Sequence, residues 1–409
     1  MKILVISPKA LLPIQGGMEL RVFNLLKPLT FRHDMSLLCF DLGEGRSKDA
    51  IENLKSLFHK VQLVPLEKTH ARRTPWHKTL REWVSPSPEL FGRISSSVNM
   101  RKAIQSLLRI TEFDLVHIAC TDMISYFLDV KHVPVVFDSI DDPSLNLFRS
   151  MRQNERLLQK VKLLKDWLVI RKFEKKYFSK FSEIVVTSPL DAEIIRSFCP
   201  RSNVTVIPNG VDAQYFRPPS CDPMEPRLIF SGVMDYSQNI LAMTFFCKSI
   251  FPLIRMKIPE AQLLIVGRNP VREILDLEKQ IPGIEVTGTV EDIRPYLARS
   301  QVYVCPLKSG AGIKNKILEA WAAGLPIVAT SLSCVGIEVS PGEDILIADD
   351  INGFVKAVVR LLQDESLRKK LAEKGRKKVV EKYDWESKAE MLEKIYVRAM
   401  KNFNIDVDN

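Results

Sequence analysis

The sequence predicts an α/β protein built from two doubly wound, Rossmann-like domains that face each other across a cleft. Three observations lead there. Short, continuously apolar runs alternate with helical stretches nearly from end to end, the pattern of parallel sheets covered by helices on both faces. A proline-rich, turn-rich stretch without periodicity interrupts that alternation just past the middle of the chain. The chain has 409 residues, 46% of them hydrophobic, which is enough for two cores of ordinary size.

The expected strands of the first group are, in order, KILVIS, MSLLCF, KVQLVP, DLVHIA, VPVVFD, IVVTS and VTVIP. Those of the second are RLIFSG, AQLLIVG, EVTG, VYVCPL and PIVAT. Between the groups lies PNGVDAQYFRPPSCDPMEPR. The resulting division is a first domain over 1–205, a linker over 206–226, a second domain over 227–385, and a C-terminal helix over 386–409 packing back on the first domain. Doubly wound sheets put strand C-termini and helix N-termini along the cleft walls, where ligands bind.

Composition narrows the function. Seven cysteines, odd in number and without C-x-x-C spacing, argue for a reducing compartment and against a disulfide framework or zinc site. The apolar opening MKILVIS is cut by Pro8 and Lys9, too soon for a signal peptide, and no run approaches the roughly 20 apolar residues that cross a bilayer. The expected location is the cytoplasm, either free or peripheral at the inner face of the membrane. The net charge of +10 is uneven: residues 149–180 carry eleven Lys or Arg against three acids, with apolar residues at helical spacing. Such an amphipathic basic helix fits either a solvated face or an anionic membrane surface. Nucleic acid is not an expected partner: the sequence carries no RNA- or DNA-binding signature, and its aromatic residues do not interleave with the cations in the way a base-stacking surface requires. The first strand is not followed by G-x-G-x-x-G, and G-x-x-x-x-G-K-[ST] is absent, so neither a nicotinamide dehydrogenase nor a P-loop NTPase is expected.

The stretch GAGIKNKILEAWAAGLPIVAT, residues 310–330, reads as a glycine loop, a helix ending at Gly324 and a buried strand. Lys314 and Lys316 stand at the helix start, where dipole and unpaired N–H groups disfavour cations by roughly 0.3–1 kcal/mol each. A bound diphosphate resolves that conflict, because it satisfies the helix N-terminus and the lysines together. Glu319, three residues after Lys316, lies on the same helix face, expected to be exposed, and its carboxylate can accept hydrogen bonds from both ribose hydroxyls. An ordinary surface Lys–Glu pair gives the same spacing.

The ordered series VIPNGVDAQYF, FSG with Asn239 shortly after, IVGRNP, VTGTVEDIRPYL and PLKSGAGIKNKILEAWAAGLPIVAT resembles the C-terminal half of a GT-B glycosyltransferase of family 4. GVMDYSQN, RPYL and GIKNKILEA are similar to a subgroup associated with bacterial exopolysaccharide clusters and exosortase. The resemblance implies an acceptor-binding first domain and a nucleotide-sugar-binding second domain. It implies a donor site of Asn239, Gly267, Arg268, Thr289, Val290, Ile313, Lys314, Asn315, Lys316 and Glu319, with Gly16 and Gly17 approaching from the first domain. His117 corresponds to a histidine that contacts the transferred sugar, which makes His117, Lys316 and Glu319 the implied catalytic set. Of the carboxylates in VVFDSIDDPS, Asp142 before Pro143 reads as a helix cap. Asp138 and Asp141 remain as acceptor-side groups.

Two departures stand out. Alanine occupies position 311, where the family carries the first of two glutamates, and SGVMDYSQN lacks the family's arginine and lysine. The activity implied is retaining transfer of a hexose from a nucleotide diphosphate sugar to a saccharide or lipid-linked saccharide, with no cofactor and no metal. The alternatives are a sugar-nucleotide epimerase of similar fold and a noncatalytic nucleotide-sugar-binding protein.

Overall fold

The computed structural model describes the chain apart from residues 43–47, 67–93, 141–143, 145–146, 149–150, 152–156, 220–222, 224, 311 and 409. Asp141, Asp142, Pro143 and Ala311 therefore lie outside the described residues. The chain divides into two compact units, Met1–Pro208 with Lys388–Asn409, and Asn209–Ser387.

The first unit holds a parallel sheet of β1 (Lys2–Ser7), β2 (Asp34–Asp41), β3 (Lys60–Pro65), β4 (Leu115–Ala119), β5 (Val135–Ser139), β6 (Glu183–Val186) and β7 (Val204–Val206) in the order β3-β2-β1-β4-β5-β6-β7. The second holds β8 (Arg227–Ser231), β9 (Gln262–Val266), β10 (Ile284–Gly288), β11 (Val302–Cys305), β12 (Ile327–Ala329) and β13 (Leu346–Ile347) in the order β10-β9-β8-β11-β12-β13. All twelve expected runs form strands whose ends fall within about two residues of the reading. β13 is additional, and its two residues are too few to make a pattern.

Central strands are buried along all or nearly all of their length, β4 and β5 throughout and β1 and β8 from the second residue on, because helices cover both faces. Leu4, Ile6, Leu38, Phe40, Val116, Ile118 and Phe137 lie in the first unit's core, and Leu228, Phe230, Leu264, Val304 and Val328 in the second's. Each such side chain contributes about 1.5–3 kcal/mol of transfer free energy.

The stretch expected to be a linker divides at Pro208. From Asn209 onward it packs within the second unit: Val211 bridges to Asp384, and the Arg376 guanidinium donates to the Phe216 carbonyl at 3.1 Å. Residues from Lys388 on belong to the first unit, where Arg398 donates to both carboxylate oxygens of buried Glu183 at 2.6 and 2.7 Å.

Candidate active site

In each sheet the strand order reverses once, between β1 and β4 and between β8 and β11. At such a switch point the connections leaving neighbouring strands run in opposite directions and open a crevice at the carboxyl ends. In the second unit Gly232 leaves β8 there, and the loop from β11 leads into the Asn315–Ala322 helix. That loop is pinned at its base. The Thr330 hydroxyl donates to the Leu307 carbonyl and the Ser333 hydroxyl to the Cys305 carbonyl, each at 2.7 Å. The helix itself is anchored by fully buried Trp321, whose indole N–H donates to the Asp344 carbonyl at 2.9 Å.

The residue at the N-cap of this helix, Lys314, makes no capping hydrogen bond with its side chain, so among the described residues the helix start lacks the usual Ser, Thr or Asp cap. Lys316 Nζ donates to Asn239 Oδ1 at 2.9 Å and sits 4.0 Å from the centre of the Phe230 ring. Asn239 is held in turn, its amide donating to the Val233 carbonyl at 2.9 Å, which fixes which end of the amide meets the lysine. Burial lowers the Lys316 pKa to about 8, against the opposing pull of Cys305 and Glu319. Burial raises that of Glu319, and Lys316 offsets part of the rise. The helix face carrying both residues was expected to be exposed; both are half-buried, and Lys314 is buried.

Gly267 and Gly232 make the crevice possible. A Cβ on Gly267 would stand 1.7 Å from the Gly232 carbonyl oxygen, and one on Gly232 would stand 2.9 Å from Lys316 Nζ. The loops after β8, β9 and β10 are knitted together there, with the Met234 N–H donating to the Arg268 carbonyl at 2.8 Å and Gly267 N–H to Gly288 at 3.3 Å. Asn239, Gly267, Arg268, Lys314, Asn315, Lys316 and Glu319 are thus gathered at one switch point. Ile313 packs half-buried against the core beside them. Thr289 and Val290 follow β10, Thr289 exposed and Val290 half-buried. Asn209, whose amide donates to Asn315 Oδ1 at 2.9 Å, and Gln238, whose carboxamide oxygen lies 2.2 Å from where a Gly310 Cβ would be, are further members. Neither was legible, because amides carry no charge conflict of the kind that exposes the lysines.

In the first unit, Gly16 caps the Gly17–Thr30 helix with extended backbone, and both glycines are exposed at the switch point end of β1. Two expected residues are placed differently from the reading. His117 is not at an open strand end but inside β4, fully buried, with Nδ1 at 2.9 Å from the Tyr396 hydroxyl and Nε2 without a hydrogen-bond partner among the described residues. Burial lowers its pKa to about 4, so the ring is neutral near pH 7. Asp138 is likewise fully buried and accepts from Arg21 Nε at 3.0 Å and from another Arg21 nitrogen at 2.9 Å. Arg21 also donates to the Ile207 carbonyl at 2.9 Å, so this carboxylate ties β5 to the first helix and the end of β7 instead of facing an acceptor.

Comparison with known proteins falls on the same two units. Residues 15–215 match the family "Glycosyltransferase Family 4", and residues 225–364 match "Glycosyl transferases group 1". The chain belongs to the glycosyltransferases of the GT-B fold. Among curated relatives it is 28% identical over 204 residues to a phosphatidyl-myo-inositol mannosyltransferase of Mycolicibacterium smegmatis, covering 48% of this chain and 52% of that one. It is 32% identical over 139 residues to the lipopolysaccharide core biosynthesis glycosyltransferase LpsE of Rhizobium meliloti, covering 32% and 40%. The chain thus spans about half the length of the curated relatives it matches, or less. Among solved structures, sucrose-phosphate synthase from Thermosynechococcus elongatus aligns at TM-score 0.69 and 17% identity over 98% of this chain and 99% of that one. Anabaena HepE in complex with UDP and glucose aligns at 0.65 and 14% identity over 96% and 98%. These likenesses establish the shared GT-B fold.

Proposed function

We propose that this chain is a family 4 enzyme that transfers a hexose, with retention of configuration, from a nucleotide diphosphate sugar to a saccharide or lipid-linked saccharide during assembly of a cell-surface or exopolysaccharide glycan. The observation that carries the reading is the meeting of Lys314, Lys316, Glu319 and Asn239 around an uncapped helix N-terminus at the switch point of the second unit. Relatives named for lipopolysaccharide core and phosphatidyl-inositol glycosylation support the acceptor class, and a neighbour bound to UDP and glucose supports the donor class.

In this reading the diphosphate lies across the helix N-terminus and the two lysines, while Glu319 accepts from the ribose hydroxyls. As the glycosidic C–O bond breaks, negative charge grows on the leaving diphosphate, and N–H groups and ammonium groups already aimed at it stabilise the transition state more than the ground state. The lysines supply the cationic charge that neutralises the leaving group, so turnover is expected to persist in chelator. Asn239 aims Lys316 in place of the arginine and lysine missing from SGVMDYSQN. The test is to incubate the purified chain with a panel of nucleotide sugars and follow nucleotide release with and without saccharide acceptors. Acceptor-dependent release supports transfer. Conversion of the sugar without release supports epimerisation, and binding alone supports a noncatalytic role.

A further inference from the structure

We propose that the Leu157–Tyr177 helix of the first unit is a docking surface for an anionic lipid bilayer. The proposal stands apart from the transferase reading, since it rests on a face of the first unit remote in sequence from the donor-binding residues.

The helix is 21 residues long and uses little of its surface for packing, with Val169, Phe173 and Glu174 its buried residues. On the other side, Leu157, Val161, Leu164 and Leu168 recur at steps of four, three and four residues and so form one stripe. All four are exposed, Leu157 at 76% and Val161 at 61%, and Leu158 beside them is 87% exposed. A soluble surface scatters single apolar residues, whereas a contiguous stripe of large aliphatic side chains marks a surface meant to be covered.

The charges say by what. At 100° per residue, the line of the stripe continues into Lys172 and Lys175. Lys165 and Lys176 border it on one side and Lys160 on the other. The helix has only two acids, Asp166 and Glu174, and both fall on the opposite half, Glu174 fully buried. The exposed half is therefore aliphatic along its centre and cationic at its borders and C-terminal end, with no negative charge. Aliphatic side chains enter the acyl boundary while lysines reach phosphate head groups, the arrangement of a helix lying in the plane of an anionic interface. A second copy of the chain would bring the same cations against these, and like charges facing each other oppose such a dimer. With seven Lys or Arg and two acids in its 21 residues, the helix is far too charged to cross the bilayer.

The experiment is co-sedimentation of the full chain with phosphatidylcholine vesicles and with vesicles containing about one third phosphatidylglycerol, at low and high salt. The expected result is binding to the anionic vesicles that falls at least about tenfold between low and high salt, as screening shortens the reach of the cations. Val161→Glu with Leu164→Glu should abolish it. Changing Lys160, Lys165 and Lys172 together to Gln, which leaves the stripe intact, should weaken it about tenfold or more. Nucleotide-dependent thermal stabilisation, measured on the same samples, should be unchanged in both variants, showing that they are folded. Absent binding, equal binding to neutral vesicles, or wild-type binding by both variants overturns the proposal. So does sedimentation of the wild type as a dimer that the paired glutamates convert to monomer, which would assign the stripe to a second copy.

Discussion

Lys316 combines charge, burial and reach. Its pKa of about 8 in the folded chain, against 10.5 ordinarily, means that folding favours the neutral amine, so this group's contribution to stability is greatest above pH 10.5 and is lost as pH falls toward 8. A bound diphosphate has the opposite preference. Donor affinity should therefore be full below about pH 7 and decline as pH rises through 8, and Lys316→Met should lose both that decline and roughly 10–100-fold in affinity, the worth of one charge-assisted hydrogen bond. Isothermal titration with a nucleotide diphosphate across this range checks it. His117 gives a second pH signature. Its folded pKa is about 4 and its ordinary value 6.5, so the stability it lends is present above pH 6.5 and lost as pH falls to 4. His117→Gln should flatten that acid limb in thermal melts while lowering stability at pH 7 by about 1–3 kcal/mol, because the buried Tyr396 hydroxyl loses its partner. Activity per folded molecule should change less than stability; the reverse would restore the sugar-contacting role. Asp138→Asn should cost about 3–5 kcal/mol, as breaking a buried ion pair strands the Arg21 charge. The lysines were legible because they violate the helix dipole. The burial of His117 and Asp138 was not, because their partners lie 279 and 117 residues away in sequence.

At the scale of elements, the strands were legible because parallel strands buried on both faces are continuous apolar runs, and this sequence keeps them short and separated by turn residues. Their connections were less so. PNGVDAQYF has the composition of a linker, yet it packs on the second unit through backbone groups such as the Val211 N–H, which donates to the Tyr383 carbonyl at 2.7 Å. Backbone pairing leaves no mark in side-chain pattern. Gly267 is the most exacting position among the site loops. Gly267→Ala forces its Cβ against the Gly232 carbonyl and must push apart the loops after β8 and β9. A loss of about 3 kcal/mol or more in chemical denaturation is expected, together with loss of donor binding. A variant that melts and binds like the wild type would mean that these loops are not held together as described.

For the whole molecule, the family could be read from the order of motifs in the second half, and its fold from the alternation of strands and helices. Donor sugar, acceptor and linkage are not written in either, because they depend on hydroxyl-by-hydroxyl contacts from loops, and Ala311 removes the family residue that would have announced some of them. The central claim is that Lys316 holds the diphosphate and Glu319 the ribose of one nucleotide diphosphate sugar. Its most direct test is parallel titration of wild type, Lys316→Met and Glu319→Gln with a nucleotide diphosphate sugar and with inorganic pyrophosphate. Loss of the lysine should weaken both ligands at least about tenfold, and loss of the glutamate should weaken only the nucleotide sugar, since pyrophosphate has no ribose. Wild-type affinity for the nucleotide sugar in either variant, or equal loss of both ligands on changing Glu319, would contradict it.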